Sequence, residues 1–286
     1  MVINLVDIVY LRKDLIKDLQ REIKDSTSFI TIVSNIWEND DIGVLLADLL
    51  INQANKDIDI NIIKNDFLNN NKFLNLNNYN VILSHILNHP KIKVKNNNYK
   101  STTSYINIDN KVLYIGNICF SNNSKDFNYA LKFTNPINIE QFNNVLLNES
   151  KNIINNVEMN ITKKKNDYGI FKSIYKDIYN SNEILILSSS NINKLNKILL
   201  DQNKIIKFIH FNNYFENSKI KYQNKIIYHN INIKSYTDLM IINNSLILNA
   251  NQPIENKYFY NVFIKINNLD NLFLNEIKQD IINLIY

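Results

Sequence analysis

Three glycines, three prolines, one cysteine and one tryptophan are all that a chain of 286 residues holds of these types. With so few breakers, its loops must be built from Asn, Asp, Ser and Lys. One cysteine, Cys119, excludes an intramolecular disulfide and suits a reducing compartment. No apolar run approaches the roughly 18 residues of a membrane-spanning helix. The first residues, Met1 to Asp7, lack a basic region followed by an apolar core, so no secretory signal is expected. The two ends carry neither a myristoylation pattern nor a prenylation box. Four histidines, His85, His89, His210 and His229, show no metal-ligand spacing, so we expect neither a metal site nor a cofactor. The charge excess is small, +5, which is compatible with an anionic surface and diagnostic of none.

What is present is a repeat. Residues 91–117 recur at 225–251, in register, at a constant offset of 134 positions with no gap. Lys91 and Ile92 answer Lys225 and Ile226, and Lys100-Ser101 answers Lys234-Ser235. Asn110 answers Asn244, Gly116 faces Ala250, and Asn117 answers Asn251. A period this long marks a duplicated lobe rather than a solenoid turn. Each copy predicts a hairpin, from alternating apolar and β-branched residues around a turn. The turns are Asp109-Asn110-Lys111 in the first copy and Asn243-Asn244-Ser245 in the second, and Gly116 ends the second strand of the first hairpin.

Around the repeat the pattern alternates strand and helix. A helix over 11–25 shows Leu15, Leu19 and Ile23 on one face. A strand over 28–34 precedes a helix that Asp41 caps and that runs to Asn55, its Ile42, Val44, Leu45, Leu46, Leu49 and Leu50 packing on a sheet. Strands follow at 58–63 and 91–95, with a short helix at 80–87 between them. Phe133 to Ile137 reads as the passage between lobes, 139–159 as a helix, and Lys163 to Lys165 as an exposed loop. The second lobe predicts strands at 183–188, 204–211, 225–229 and 258–266, and helices at 191–201 and 272–285. Strand, helix, strand in this order implies parallel pairing. The fold class is therefore α/β, with lobes at 1–138 and 139–286.

The hairpin wording resembles the phospholipase D superfamily, whose signature is H-x-K-x4-D followed by a Gly-Ser-x-Asn-like stretch. Asp109 falls on the signature aspartate, Gly116 on its glycine, and Ser121 on its trailing serine. The resemblance implies a two-lobed pseudo-dimer, each lobe a mixed sheet flanked by helices. The histidine position is Thr102 and the lysine position Ser104; in the second half they are Tyr236 and Asp238, with Asn243 at the aspartate. The later asparagine becomes Cys119 and Pro253. In active members a histidine attacks phosphorus and lysines neutralise charge. Thr and Tyr hydroxyls are poor nucleophiles without an adjacent base, and Asp238 opposes phosphate charge. No catalytic residue is expected, and Asp109 is expected to cap its own hairpin turn.

Degeneracy of both motifs is similar to that of the poxvirus envelope-wrapping proteins. That resemblance implies a peripheral viral protein on the cytoplasmic side of membranes or in the virion envelope. Its partners would be anionic phospholipid and viral envelope proteins, with nucleic acid a weaker candidate. The alternatives are a phosphodiesterase, phospholipase or nicking nuclease, working with substitute residues, and a module that holds phosphate or nucleic acid without cleaving it. Trp37 with Glu38, Asp40 and Asp41 ends a strand, where α/β sites form, and also suits a helix cap. Cys119 is expected in the core.

Overall fold

The computed structural model describes residues 8–34, 36–65, 89–97, 100–101, 104–122, 128–148, 152–154, 156–162, 169–188, 205–211, 226–231, 239–248 and 259–283. The chain divides into two compact units, residues 3–143 and 144–286.

In the first unit the elements are β1 (Ile8–Leu11), α1 (Leu15–Lys24), β2 (Phe29–Ser34), β3 (Ile36–Trp37), α2 (Asp41–Ala54), β4 (Asp59–Asn65), β5 (Ile92–Asn97), β6 (Ser104–Ile108), β7 (Val112–Asn117), β8 (Cys119–Phe120), β9 (Tyr129–Phe133) and α3 (Pro136–Asn148). Seven strands form one sheet in the order β1-β9-β7-β6-β2-β4-β5. The β2, β4 and β5 strands are parallel; the other neighbours are antiparallel.

The period of two along β6 explains its two layers. Ile106 and Ile108 join the core cluster that contains Leu15, Leu19 and Ile23 of α1 and Leu46, Ala47 and Leu50 of α2. Burying each large aliphatic side chain here contributes about 1.5–3 kcal/mol. Tyr105 and Asn107 point the other way. Tyr105 stacks edge-on against Phe142 of α3 at 5.0 Å, and Asn107 donates to Asn143 at 3.2 Å.

The second unit contains β10 (Asn152–Ile154), β11 (Val157–Thr162), α4 (Gly169–Asn180), β12 (Glu183–Ser188), β13 (Ile205–Phe211), β14 (Ile226–Ile231), β15 (Leu239–Ile242), β16 (Ser245–Leu248), β17 (Phe259–Ile266) and α5 (Asn271–Ile282). Its sheet runs β10-β11-β17-β16-β15-β12-β13-β14. Without β10, this is the order of the first sheet, strand for strand, with the same parallel and antiparallel senses. The duplication is therefore one of topology. Each unit is a mixed sheet with helices, the two-lobed α/β class expected.

The ladders correct the repeat in one respect. In the first hairpin Ile108 pairs with Val112 across three residues; in the second, Ile242 pairs with Ser245 across two. Ser245 is a strand residue, not a turn residue. Ile242 lies 134 positions beyond Ile108, but Ser245 lies only 133 beyond Val112. Within the described residues this register sets Leu113, Tyr114 and Ile115 against Leu246, Ile247 and Leu248. With Asn and Ile so abundant, chance matches conceal a one-residue deletion.

Other differences have local causes. Asp40, not Asp41, caps α2: its backbone is extended and its carboxylate accepts from Gly43 N–H at 3.0 Å. Val44 and Leu45 stay 41% and 42% exposed, because Gly43, Leu46, Ala47, Leu50 and Ala54 make the buried face. Pro136 opens α3 instead of bridging the lobes, a position where its missing N–H is no loss. The helix expected over 139–159 stops at Asn148; residues 152–154 and 157–162 pair as strands, where β11 joins β17. The strand of Gly116 extends to Asn117. β1, β9 and α4 were not foreseen. The helices expected at 80–87 and 191–201, and Lys163 to Lys165, lie outside the described residues.

Candidate functional site

Of the signature positions, Thr102, Tyr236 and Asp238 lie outside the described residues. Ser104, Asp109 and Asn243 lie within them. Ser104 opens β6 directly across from Gly116 and is 1% exposed. Gly116 is obligatory for steric reasons: a Cβ there would lie 2.2 Å from the Tyr129 carbonyl oxygen and 2.8 Å from Ala130 Cα. That close approach brings β9 against the hairpin.

Asp109 does not cap its own turn. Its carboxylate accepts from the backbone N–H groups of Thr27, Ser28 and Phe29 and from both hydroxyls of Thr27 and Ser28, at 2.7–2.9 Å. Burial would raise its pKa, but the backbone donors of Phe29, Thr27 and Ser28 outweigh that and hold it down to about 2. Asp109 and Asn110 both have positive φ, 55° and 53°, which Asp and Asn tolerate better than other side chains. Asn243 takes the equivalent conformation at 49°.

The strand ends beside Ser104 gather a polar cluster. β3 leaves β2 to pair with β8, joining Ile36 to Cys119 and Trp37 to Phe120. The Trp37 and Phe120 rings meet edge-on at 4.7 Å, and Trp37 Nε1 donates to Gly43 O at 3.0 Å. Ser121 Oγ donates to Glu38 at 2.6 Å, and Asn122 N–H donates to Asp40 at 2.6 Å. Asn128 clasps Cys119 by both backbone groups, accepting from its N–H at 2.9 Å and donating to its C=O at 2.7 Å. Ser34 Oγ donates to Ile118 O at 3.3 Å. Ser34, Ser104, Asn117, Ser121 and Asn128 are all buried, as is Cys119 in the core where expected.

The groups assembled here are hydroxyls, carboxamides, a thiol and carboxylates. Trp37, Glu38, Asp40 and Asp41, singled out in the sequence, do reach this place; Glu38 and Asp40 act in it as hydrogen-bond acceptors that tie loop 121–122 to α2. Acceptors of this kind repel a phosphate and give it no charge clamp. His89 bridges Asn55 at 3.0 Å and accepts from Lys91 N–H at 3.2 Å, a structural role. His210 and His229 lie within β13 and β14. Among the described residues, no cluster of His, Cys, Asp or Glu could hold a metal ion.

The sequence reading missed a pair of buried charges. Lys132 of β9 bonds Asp18 and Glu22 of α1, each at 2.8 Å, and Tyr114 OH donates to Asp18 at 2.6 Å. Burial pushes the Asp18 carboxyl up, but hydrogen bonds from Lys132 and Tyr114 and the charges of Lys132 and Arg21 prevail, so it titrates below the ordinary range. At the equivalent place in the second unit, Lys265 of β17 pairs with Asp177 of α4. A lysine inside the apolar strands Tyr129–Phe133 and Phe259–Ile266 was the available signal.

No protein-family model and no curated protein sequence matches the chain. Solved structures do. The phosphatidylserine synthase of Haemophilus influenzae Rd KW20 is 9% identical, aligns with 100% of this chain and 87% of its own, and gives a TM-score of 0.69. The polyphosphate kinase of Porphyromonas gingivalis is 12% identical over 95% of this chain and 49% of its own, with a TM-score of 0.62. Nuc of Salmonella typhimurium, a phospholipase D family member, aligns with 49% of the chain at a TM-score of 0.36. The fold of this chain is the phospholipase D fold. Within that class it is a two-lobed form in a single chain.

Proposed function

We propose that the protein is a non-catalytic member of the phospholipase D class that works as a peripheral protein at a membrane surface bearing anionic phospholipid. Ser104 carries the reading. It stands at the signature lysine, is 1% exposed, and is held in the ladder opposite Gly116. A short hydroxyl in that position supplies neither the charge nor the reach of a phosphate-clamping ammonium. Asp109, the one retained residue of the six histidine, lysine and aspartate positions, is fully engaged by residues 27–29.

Among the described residues, no helix is long and apolar enough to cross a membrane, so attachment through them is peripheral. Cys119 is 1% exposed, so an acyl chain on it is not the anchor. The likeness of the whole fold to a phosphatidylserine synthase supports a lipid surface as the setting. The degenerate double motif, similar to that of the poxvirus envelope-wrapping proteins, supports a role in virion wrapping on the cytoplasmic side, with viral envelope proteins as partners.

The test is hydrolysis. Purified full-length protein is expected to leave phosphatidylcholine, bis-p-nitrophenyl phosphate and plasmid DNA intact above background. Turnover that disappears in Thr102→Ala or Tyr236→Phe would overturn the reading and establish a phosphodiesterase that uses substitute residues.

A further inference from the structure

The two sheets end on equivalent strands of opposite character. β5 closes the first sheet beyond β4, and β14 closes the second beyond β13. The residues facing each other across the repeat are Lys91, Lys93 and Lys95 in the first unit and Lys225, Ile227 and His229 in the second. Lysines on an end strand commonly guard it against pairing with another chain. Guarding alone does not account for the difference, because β14 occupies the same place in its sheet without the alternating lysines.

The alternation sets the lysines apart from the core. Ile92 is buried and Val94 packs against the core cluster, while Lys91, Lys93 and Lys95 are exposed. Side chains two apart on a strand stand about 6.6 Å apart on one face. Lys91 is drawn to Asp57 at 3.6 Å, so that end is close to neutral. Lys93 and Lys95 stand opposite Asn61 and Ile63 and pair with no carboxylate among the described residues.

We infer that Lys93 and Lys95 of β5 form the contact through which this protein docks on an anionic phospholipid bilayer; the inference rests on the membrane reading above and names the surface that serves it. Two unneutralised ammonium groups on a rigid strand suit a layer of mobile headgroups, which can gather beneath them. Affinity for nucleic acid grows with the number of phosphates neutralised, and this strip offers two free charges. Neither side chain helps build the core, so both can be changed without disturbing the fold.

The experiment is co-sedimentation of the full chain with vesicles of pure phosphatidylcholine and of phosphatidylcholine with phosphatidylserine, at low and high salt. The wild type is expected to bind only the anionic vesicles and to be released at high salt. K93Q/K95Q should weaken partitioning about twenty-five-fold, at roughly fivefold per lysine, and K93E/K95E should abolish it. K163E/K165E serves as a control in the sequence's other lysine cluster, and circular dichroism verifies that each variant is folded. Anionic binding that survives in K93E/K95E but fails in K163E/K165E overturns the inference and leaves the membrane reading standing. Failure of the wild type to bind either vesicle overturns both. Binding to duplex DNA, lost in K93E/K95E and without vesicle binding, assigns the strip to nucleic acid and overturns it as a lipid site.

Discussion

The two lobes keep the same seven-strand order while sharing almost none of the side chains that decorate it. What persists between them is structural. Asp109 and Asn243 both take left-handed conformations at the hairpin turn. Lys132 and Lys265 both sit buried in the strand after the hairpin, each reaching a carboxylate on the helix that precedes the first parallel strand. What differs is chemical: Ser104 against Asp238, Asp109 against Asn243, and the lysines of β5 against Ile227 and His229. Backbone pairing and buried charge constrain both copies of a duplicated lobe, because a buried lysine without its partner strands a charge.

Three substitutions press on that contrast. Gly116→Val should have the largest effect, because its Cβ would fall within 2.2 Å of a backbone oxygen that cannot move aside. We expect a loss of more than about 3 kcal/mol in urea unfolding, or failure to accumulate folded protein. A wild-type unfolding midpoint in this variant would mean that β9 is not held against the hairpin as described.

Lys132→Met should follow, at about 3–5 kcal/mol, because it removes the buried cation between Asp18 and Glu22 and leaves them only Arg21, which reaches them from the surface. Lys265→Met should likewise destabilise, because it takes the cation from Asp177. An unchanged unfolding midpoint in Lys265→Met would show that the buried pair contributes nothing to the second lobe. The triple variant D18L/E22M/K132M should recover much of the stability lost in the single one, as replaced buried ion pairs often do.

Asp109→Asn comes last, at about 1–3 kcal/mol near neutral pH, since one acceptor oxygen becomes a donor facing donors. The pH dependence has a definite sign. The folded carboxyl titrates at about 2, below the usual unfolded value near 3.9, so the unfolded chain takes up its proton first. The stabilisation is present above about pH 4 and is lost as pH falls toward 2. Between those limits the wild type should lose stability faster than Asp109→Asn, and parallel curves would remove the clasp as its cause.

The fold was legible where period and punctuation agree. Leu15, Leu19 and Ile23 mark α1 by spacing alone, and the Asp-Asn and Asn-Asn turns mark both hairpins. It was illegible where tertiary pairing overrides pattern. Residues 152–159 read as helix in isolation, yet β11 is buried on both sides of its pleat, including Glu158 and Asn160 beside Val157 and Met159. The deletion in the second turn was hidden by composition, and only the strand ladders expose it. In the candidate site, Ser104, Asp109 and Gly116 were singled out through the resemblance of the hairpin to the phospholipase D signature. The Asn128 clasp and the Glu38 to Ser121 bond were not, because they join residues 9 and 83 positions apart with no periodic signature.

The Asp109 clasp also bears on how fast the first lobe forms and falls apart. It closes a loop of 82 positions between Thr27 and the hairpin turn. Closing a loop of that length costs chain entropy before any bond rewards it. The clasp should therefore be made after the local hairpin, late in folding, and be absent from the transition state. An interaction of that kind acts on the unfolding arm alone. Removing it should leave the refolding rate nearly unchanged and speed unfolding, so Asp109 would act as a kinetic latch on the first lobe.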